Sequence, residues 1–394
     1  MVTNRPASVK ALSCTMVCYT VNMGFIRRQQ KLGLGQILVV SGFAVVLGYV
    51  LLKTFAATLN TPPNTLVFDS NRTGNYEVYR LSAAGAVTQL TNDSTYDSWW
   101  PKLSPDGQQL LFYRTPAGTH DTDYSKTSLW IANSDGSNPH QIVANGANGW
   151  VVQGHAEWSP DSSRIVMFAG NAGGGLLFTT DANGGNIKLV TTTAQASDTD
   201  PSWSPDGSRI TYAFNGDIWI VAATGGTPTQ VSTDSLVDYD PYYSPDGSQI
   251  AWLTNISANV WAIRAASPNG ANLHDIINDG NINSKPAWSP DGSLVYFHRH
   301  SSDNAGGFFE LWMINADGTG LTQLNAGTGS NEYPQAIPTN IPGDINGDGT
   351  VDVKDLAILA AHFRQTGDAS QGDLDGSGTI DITDFSILAL HWSN

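Results

Sequence analysis

Asp344-Ile-Asn-Gly-Asp-Gly-Thr-Val-Asp-Val-Lys-Asp355 places side-chain oxygens at positions 1, 3, 5 and 12 of a twelve-residue loop, with glycine at position 6. A hard divalent cation takes six to eight oxygens, and a central glycine permits the sharp turn that brings them together. Calcium is the expected ligand, held by the side chains of Asp344, Asn346, Asp348 and Asp355 and the carbonyl of Thr350, with Asp352 acting through water. Shifted by 29 residues, Asp373-Leu-Asp-Gly-Ser-Gly-Thr-Ile-Asp-Ile-Thr-Asp384 repeats the pattern. Its ligands are Asp373, Asp375, Ser377 and Asp384, with the carbonyl of Thr379. Two ions are expected, the second more weakly bound because Ser377 replaces a charged group.

The elements behind the loops repeat as well: Leu356 matches Phe385, Leu359 matches Leu388, His362 matches His391 and Phe363 matches Trp392. A helix is therefore predicted after each loop. Position 12 is Asp, where an ordinary EF-hand has Glu, and no helix precedes either loop. This pair of loop-helix units resembles the type I dockerin, over residues 343–394, a module found at the ends of secreted proteins that degrade plant polysaccharides. The resemblance implies that calcium organises the helices and that positions 10 and 11 select a cohesin-type partner. Those positions are Val353, Lys354, Ile382 and Thr383, pairs that differ from each other and from the Ser-Thr pair common in clostridial dockerins. An apolar helix face of Ile358, Ala361, Ile387 and Leu390 is the expected contact.

Upstream, a five-residue phrase recurs: Trp203-Ser-Pro-Asp-Gly207 and Trp288-Ser-Pro-Asp-Gly292, with relatives carrying Pro105, Pro160 and Pro245. The prolines step by 55, 45, 40 and 45 residues, a period that announces a propeller or solenoid. Proline pre-sets the second position of a type I turn, Asp suits the third and Gly the fourth. Alternating strands flank each turn, so one period reads as a four-stranded blade. The segment at Leu66, Val67 and Phe68 lacks a preceding strand, and the one around Pro334 lacks a following one. Pairing them would latch a ring of six blades and remove the open edges. The phrase resembles the repeats of TolB-type propellers and of the propeller domains of prolyl oligopeptidases, over about residues 66–340. The expected fold is mostly β: a six-bladed β-propeller at 65–340, closed by its N- and C-terminal strands, followed by a small helical dockerin. Trp158, Trp203 and Trp288 are expected as wedges between blades.

The residue preceding each inner strand should stand at the channel mouth: Trp100, His155, Asp200, Asp240, Lys285 and Tyr333. Such a ring could hold a peptide end, a sugar or a cation; alternatively, Asp200 and Asp240 merely satisfy backbone donors in their turns. His298 and His300 lie on one strand face and read as metal ligands or, more ordinarily, as a solvent-facing pair. The insertion at 115–127, with Trp99, Trp100, Tyr124 and Trp150, offers aromatic faces to a sugar or covers blade edges. No Gly-x-Ser-x-Gly elbow is present, and the 50-odd residues beyond the propeller are too few for a hydrolase domain. The first expectation is a non-catalytic binding protein for protein or glycan; the alternative is a carbohydrate-active lyase or hydrolase with the dockerin as its attachment module.

Charge and composition bound the rest. Gly numbers 40, and Glu, Lys and Arg are scarce, which suits short strands joined by turns. Residues 1–60 carry six basic and no acidic side chains, so the net −16 divides into +6 and −22. So acidic a surface repels phosphate backbones and argues against a nucleic-acid partner. Cys14 and Cys18 both precede the globular region, which excludes a disulfide or thiol chemistry there. Residues 32–52 are uncharged and follow Arg27, Arg28 and Lys31, as a transmembrane anchor would, with 1–31 in the cytoplasm and 53–64 as linker. A cleaved signal near Ala56 and Ala57 is the alternative, leaving a secreted protein. Met-Gly-Phe-Ile-Arg-Arg makes Met23 a candidate start. The expected location is the cell membrane, with the propeller and dockerin outside.

Overall fold

The computed structural model describes residues 64–83, 85–171, 174–192, 198–300, 307–337, 343, 345, 353–367, 371–374 and 377–390. The expected anchor, linker and start at Met23 lie outside these residues; among the described residues no helix is long and apolar enough to cross a membrane.

Among the described residues, twenty-four strands make up the β region. Alternating or continuous apolar runs such as Leu110, Leu111, Phe112 and Tyr113 supply their buried faces. Six strands are alike in following a four-stranded rhythm: Tyr96–Leu103, Val152–Trp158, Asp198–Trp203, Val237–Tyr243, Ile282–Trp288 and Asn331–Ala336. Each contacts the next, and the last contacts the first, so these inner strands close a ring. Six clusters of buried side chains fill the gaps between neighbouring units. One joins Val67 and Val78 to Leu103 and Leu110; another joins Tyr296 and Leu311 to Leu66 and Phe68.

The closing contact is a strand pair. Leu66–Ser70 pairs antiparallel with Asn331–Ala336, setting Leu66 opposite Ala336 and Ser70 opposite Asn331. This gives the earliest described strand the partner it lacks locally. Arg72 pins the junction from the side, donating to Ala326 O at 2.7 Å and to Asn331 Oδ1 at 2.6 Å.

The sheet count differs from six separate blades. Four sheets have four strands each, while the eight strands between Val237 and Gln323 form a single sheet. The join is a single parallel pair, Trp261 with Ile282. It forms because Trp261 N–H donates to Asn281 O at 2.9 Å and Asn283 Nδ2 donates to Trp261 O at 3.1 Å.

The Ser-Pro-Asp turns take the form their residues dictate. In each, the serine hydroxyl donates to the aspartate two residues on, at 2.5–2.6 Å, and accepts a backbone N–H five residues from it. Gly207, Gly247 and Gly292 sit at φ of +68° to +71° against Pro160, Pro205 and Pro245 of the preceding turn, so successive turns nest. The tryptophans wedge as expected: Trp158 packs with Leu111 and Leu129 of the previous sheet, and its Nε1 donates to Lys102 O at 3.2 Å.

In the C-terminal region two helices, Val353–His362 and Ile382–Leu390, share a small core of Leu359, Ile380 and Leu388. A bridge between Thr366 and Thr379 ties the segment after the first helix to the second loop.

Candidate functional site

Each of the six inner strands carries a β-bulge, and the bulged residue has left-handed backbone: φ is 54° at Trp100, 50° at His155, 53° at Asp200 and Asp240, 56° at Lys285 and 51° at Tyr333. Five of the six precede proline, which has no N–H to give a ladder and is accommodated at a bulge. Left-handed backbone at bulky residues costs about 1–3 kcal/mol each and persists where the surroundings over-determine it. The strained positions are the six read from sequence as the channel-mouth ring.

Their side chains converge. The rings of Trp100 and His155 stack at 4.2 Å, and Trp100 meets Tyr333 at 5.0 Å. His155 Nδ1 pairs with Asp200, and Lys285 Nζ lies 2.5 Å from Asp240 and 3.9 Å from Asp200. The same ammonium sits 4.6 Å above the Trp100 ring. Asp200 and Asp240 thus face charged neighbours across the ring.

Burial and charge separate the two carboxyls. Burial works against ionising Asp200, but the positive charges of His155 and Lys285 outweigh it and hold this group well below the usual carboxylate range. Burial first, then the negative Asp200 beside it, push Asp240 up to about 7. Lys285 is held above the ordinary lysine range because Asp240, Asp200 and Asp121 overcome its desolvation.

Half of the ring is capped by the insertion at 115–127. Buried Asp97 gathers it, accepting the N–H groups of Gly118, Thr119 and His120 at 2.7, 3.1 and 3.1 Å. His120 stacks on Tyr76 at 3.5 Å, with its Nε2 3.6 Å from Asp69. Asp121 then reaches the ring, accepting from the hydroxyls of Tyr333 and Tyr124 and standing 3.9 Å from His155 Nε2. Trp99 is fully buried beneath this cap and presents no open face, whereas Tyr124 packs against it edge-on and stays half-buried.

The uncapped half opens into a cleft of about 520 Å³, lined by His155, Asp200, Asp240 and Lys285 at its base and by Tyr124, Phe168, Tyr239 and Trp261 on its walls. A largely apolar cleft with few convergent polar groups is a ligand site in form. Two positions further along the inner strands, buried Lys102 and Glu157 and half-buried Tyr242 make a second layer: Lys102 Nζ and the Tyr242 hydroxyl lie 3.1 and 3.0 Å from Glu157 Oε2. Sequence reading did not single out this layer or Asp121; for the former, the two-residue period of a strand was the available signal.

His298 is not solvent-facing. It is buried, and its Nδ1 accepts the N–H of Tyr333 at 3.0 Å. Burial, then the charge of Lys285, depress its pKa to about 3. His300 shares only the ring of Phe309 with it. Among the described residues no three His, Cys, Asp or Glu side chains are grouped to hold a metal.

Of the predicted calcium ligands, Asp344, Asn346, Asp348, Thr350 and Asp375 lie outside the described residues. Those inside fit a cation. Asp355 and Asp384 are fully buried, and each reaches back to its own loop: their Oδ1 atoms accept the N–H of Ile345 at 2.8 Å and of Leu374 at 2.6 Å. Asp373 Oδ2 accepts from Gly378 N at 2.9 Å, while its buried Oδ1 has no hydrogen-bond partner among the described residues. A buried carboxylate oxygen in that state is costly unless a cation meets it. Ser377 and Thr379 are exposed beside it. Val353 and Ile382 are 62% and 66% exposed, and Thr383 is exposed too, so three of the four partner-selecting positions are presented. The side chains of Lys354 and Leu390 fall outside the description; Ala361 is exposed, while Ile358 and Ile387 are half-buried.

A family model described as the TolB beta propeller domain matches residues 126–339, more than half of the chain, and one described as the dockerin type I domain matches residues 342–391. Uncharacterized protein Atu1656 of Agrobacterium fabrum is 26% identical over 103 residues, which are 26% of this chain and 34% of that protein, so the match spans about a third of the relative's length. Among solved structures, TolB from Acinetobacter baumannii superposes with a TM-score of 0.58 at 15% identity, covering 70% of this chain and 67% of its own. A chain of the nidogen/laminin complex gives 0.55 at 10% identity, covering 70% and 98%. Hydrazine synthase of Kuenenia stuttgartiensis gives 0.54 at 14% identity, covering 72% and 48%. At these identities the likeness is one of fold, which unrelated functions share.

Proposed function

Because the chain belongs to the TolB β-propeller family and ends in a type I dockerin domain, we propose that it is a non-catalytic assembly protein. Its propeller holds a protein or glycan ligand, and its dockerin, loaded with two calcium ions, joins a cohesin-type partner. We read the closed ring as six blades, the eight-stranded sheet being two units fused at Trp261 and Ile282. The N-terminal segment tethers the whole to a membrane, facing outward, in a setting of polysaccharide breakdown.

The observation that carries the propeller's role is the cleft over His155, Asp200, Asp240 and Lys285, with Tyr239 and Trp261 at its wall. Calcium supplies the dockerin with the charge that its buried aspartates require; Asp355, Asp373, Ser377, Asp384 and the carbonyl of Thr379 are the described groups that would hold it.

An enzyme is the second reading, favoured by the unequal ionisation of Asp200 and Asp240, a pattern of acid–base pairs. Against glycoside hydrolysis, both carboxyls already face one ammonium, Lys285 Nζ, at 2.5 Å from Asp240 and 3.9 Å from Asp200, whereas hydrolases leave theirs free to flank the sugar.

The test uses the full chain on glycan and peptide arrays and on an immobilised cohesin, with calcium or with chelator. The proposal expects calcium-dependent cohesin capture and array binding that Lys285→Met abolishes. Turnover of an arrayed glycan would favour the enzyme, and array binding indifferent to Lys285→Met would remove the cleft from the account.

A further inference from the structure

The inner strands run from the left-handed ring to the Ser-Pro-Asp turns, so the turns surround the other end of the channel. There they enclose a second cavity, about 640 Å³, separate from the cleft at the ring. Its walls are Trp158, Trp203, Trp288 and Tyr243 with a succession of prolines, and Glu157, Tyr242 and Gln335 lie among its lining residues. We infer that this funnel is a second binding site, which takes an extended lysine- or arginine-bearing peptide segment of a partner protein.

Charge selects the occupant. Asp106 and Asp161 line the funnel, and Asp206, Asp246 and Asp291 hold the same place in their own turns. Hydrogen bonds from Ser204 and Ser208 hold Asp206 down to about 2, and those from Ser244 and Ser248 likewise lower Asp246. No Lys or Arg side chain is among the lining residues. Lys102, in the channel's second layer, is already matched by Glu157 at 3.1 Å. Arg209 offsets part of the charge of Asp206, and the other four aspartates leave the aqueous approach to the funnel negative, which attracts and retains cations.

Shape argues for a peptide rather than a sugar. Trp158, Trp203 and Trp288 are only 3%, 7% and 9% exposed, so they give apolar edges and no open ring face for a sugar to stack on. The nested turns fix the rim in advance, through Pro160 against Gly207, Pro205 against Gly247 and Pro245 against Gly292. A preformed rim reduces the ordering that binding must impose. The volume lies within the range of about 300–1,000 Å³ typical of ligand pockets.

Acetylated tetralysine amide is the probe, titrated into the full chain by calorimetry at low and moderate salt, with tetraglutamate and cellohexaose as comparisons. Saturable tetralysine binding is expected, weakening as salt rises. The triple variant Asp161→Asn, Asp206→Asn, Asp246→Asn keeps an acceptor oxygen in each turn and should bind about tenfold more weakly or worse. A second triple variant, Asp135→Asn, Asp181→Asn, Asp317→Asn, removes the same charge from outer turns and should bind as the unmodified chain does. Indole ¹⁵N spectra of the unmodified chain give an answer that no variant's folding can obscure: Trp158, Trp203 and Trp288 should shift with tetralysine while Trp261 stays in place. Equal losses in the two triple variants, unmoved wall indoles, or a preference for tetraglutamate or cellohexaose would overturn the inference.

Discussion

Nδ1 of His298 accepts the backbone N–H of Tyr333 at 3.0 Å, and the same relation holds one unit further round the ring, where Asp69 Oδ2 accepts the N–H of Trp100 at 3.0 Å. In both cases a side chain of one unit secures the left-handed residue of the next, which is how two strained ring positions are held. His298 must stay neutral to do so, because protonation turns its acceptor nitrogen into a donor. Its pKa is depressed from 6.5 to about 3, so its contribution to stability is complete above 6.5 and is lost as pH falls through the folded value. Denaturant midpoints measured from pH 8 to pH 3 should decline on the acid side. His298→Asn, whose Oδ1 can accept the same N–H without titrating, should show a shallower decline from a lower starting stability. Parallel curves for the two proteins would contradict this role.

Asp240 carries the opposite sign. Its folded pKa is raised from 3.8 to about 7 by burial and by Asp200, so the stability tied to its protonated form is present below 3.8 and lost as pH rises through 7. Asp240→Asn imitates the protonated carboxyl and also suits a left-handed backbone. The variant should gain on the unmodified chain as pH increases from 5 to 8. The check is the difference between their urea midpoints; a constant difference across that range would mean that Asp240 does not titrate there.

How far the sequence reached is visible in these residues. The ring was legible because five of its members precede a proline at a fixed offset from the turn, a local rule that survives folding. Asp121 was not, since the insertion at 115–127 has no counterpart in the other repeats and its path depends on the three N–H groups collected by Asp97. Strand alternation placed His298 and His300 on one face, but only the packing of Tyr333 and Phe309 decided that His298 would be buried. The fusion of two units rests on one lateral pair, Trp261 with Ile282, and no periodicity encodes a single bridge. In the calcium loops, side-chain type and position were the whole signal, and the burial of Asp355, Asp373 and Asp384 follows from the same positions.

The wedge tryptophans are not equivalent, although their phrases are. Trp158 Nε1 donates to Lys102 O and Trp288 Nε1 to Tyr242 O, whereas Trp203 Nε1 is buried without a hydrogen-bond partner among the described residues. Replacing Trp158 with Phe removes that hydrogen bond, a loss of about 0.5–1.5 kcal/mol beyond that of the packing. Trp203→Phe loses packing alone. Thermal or urea unfolding should therefore rank Trp158→Phe as the more damaging exchange, and the reverse order would show that the hydrogen bond is not what distinguishes the two sites.

Calcium should decide whether the C-terminal helices form. Leu359, Ile380 and Leu388 are its main buried apolar side chains, and so small a core cannot alone offset the conformational entropy of two loops and two helices. Metal binding then becomes folding free energy. Far-ultraviolet circular dichroism of the full chain should lose helical signal on addition of chelator and regain it with excess calcium, while the β signal of the propeller persists. Asp373→Ala removes the buried carboxylate oxygen that has no hydrogen-bond partner among the described residues, and should raise the calcium concentration needed for recovery about tenfold or more. Asp381→Ala offers the comparison, because its exposed carboxylate only accepts the N–H of Thr383 at 2.7 Å and, at position 9, would meet the ion through water. Its effect should be smaller, and helices that withstand the chelator would separate this module's folding from calcium altogether.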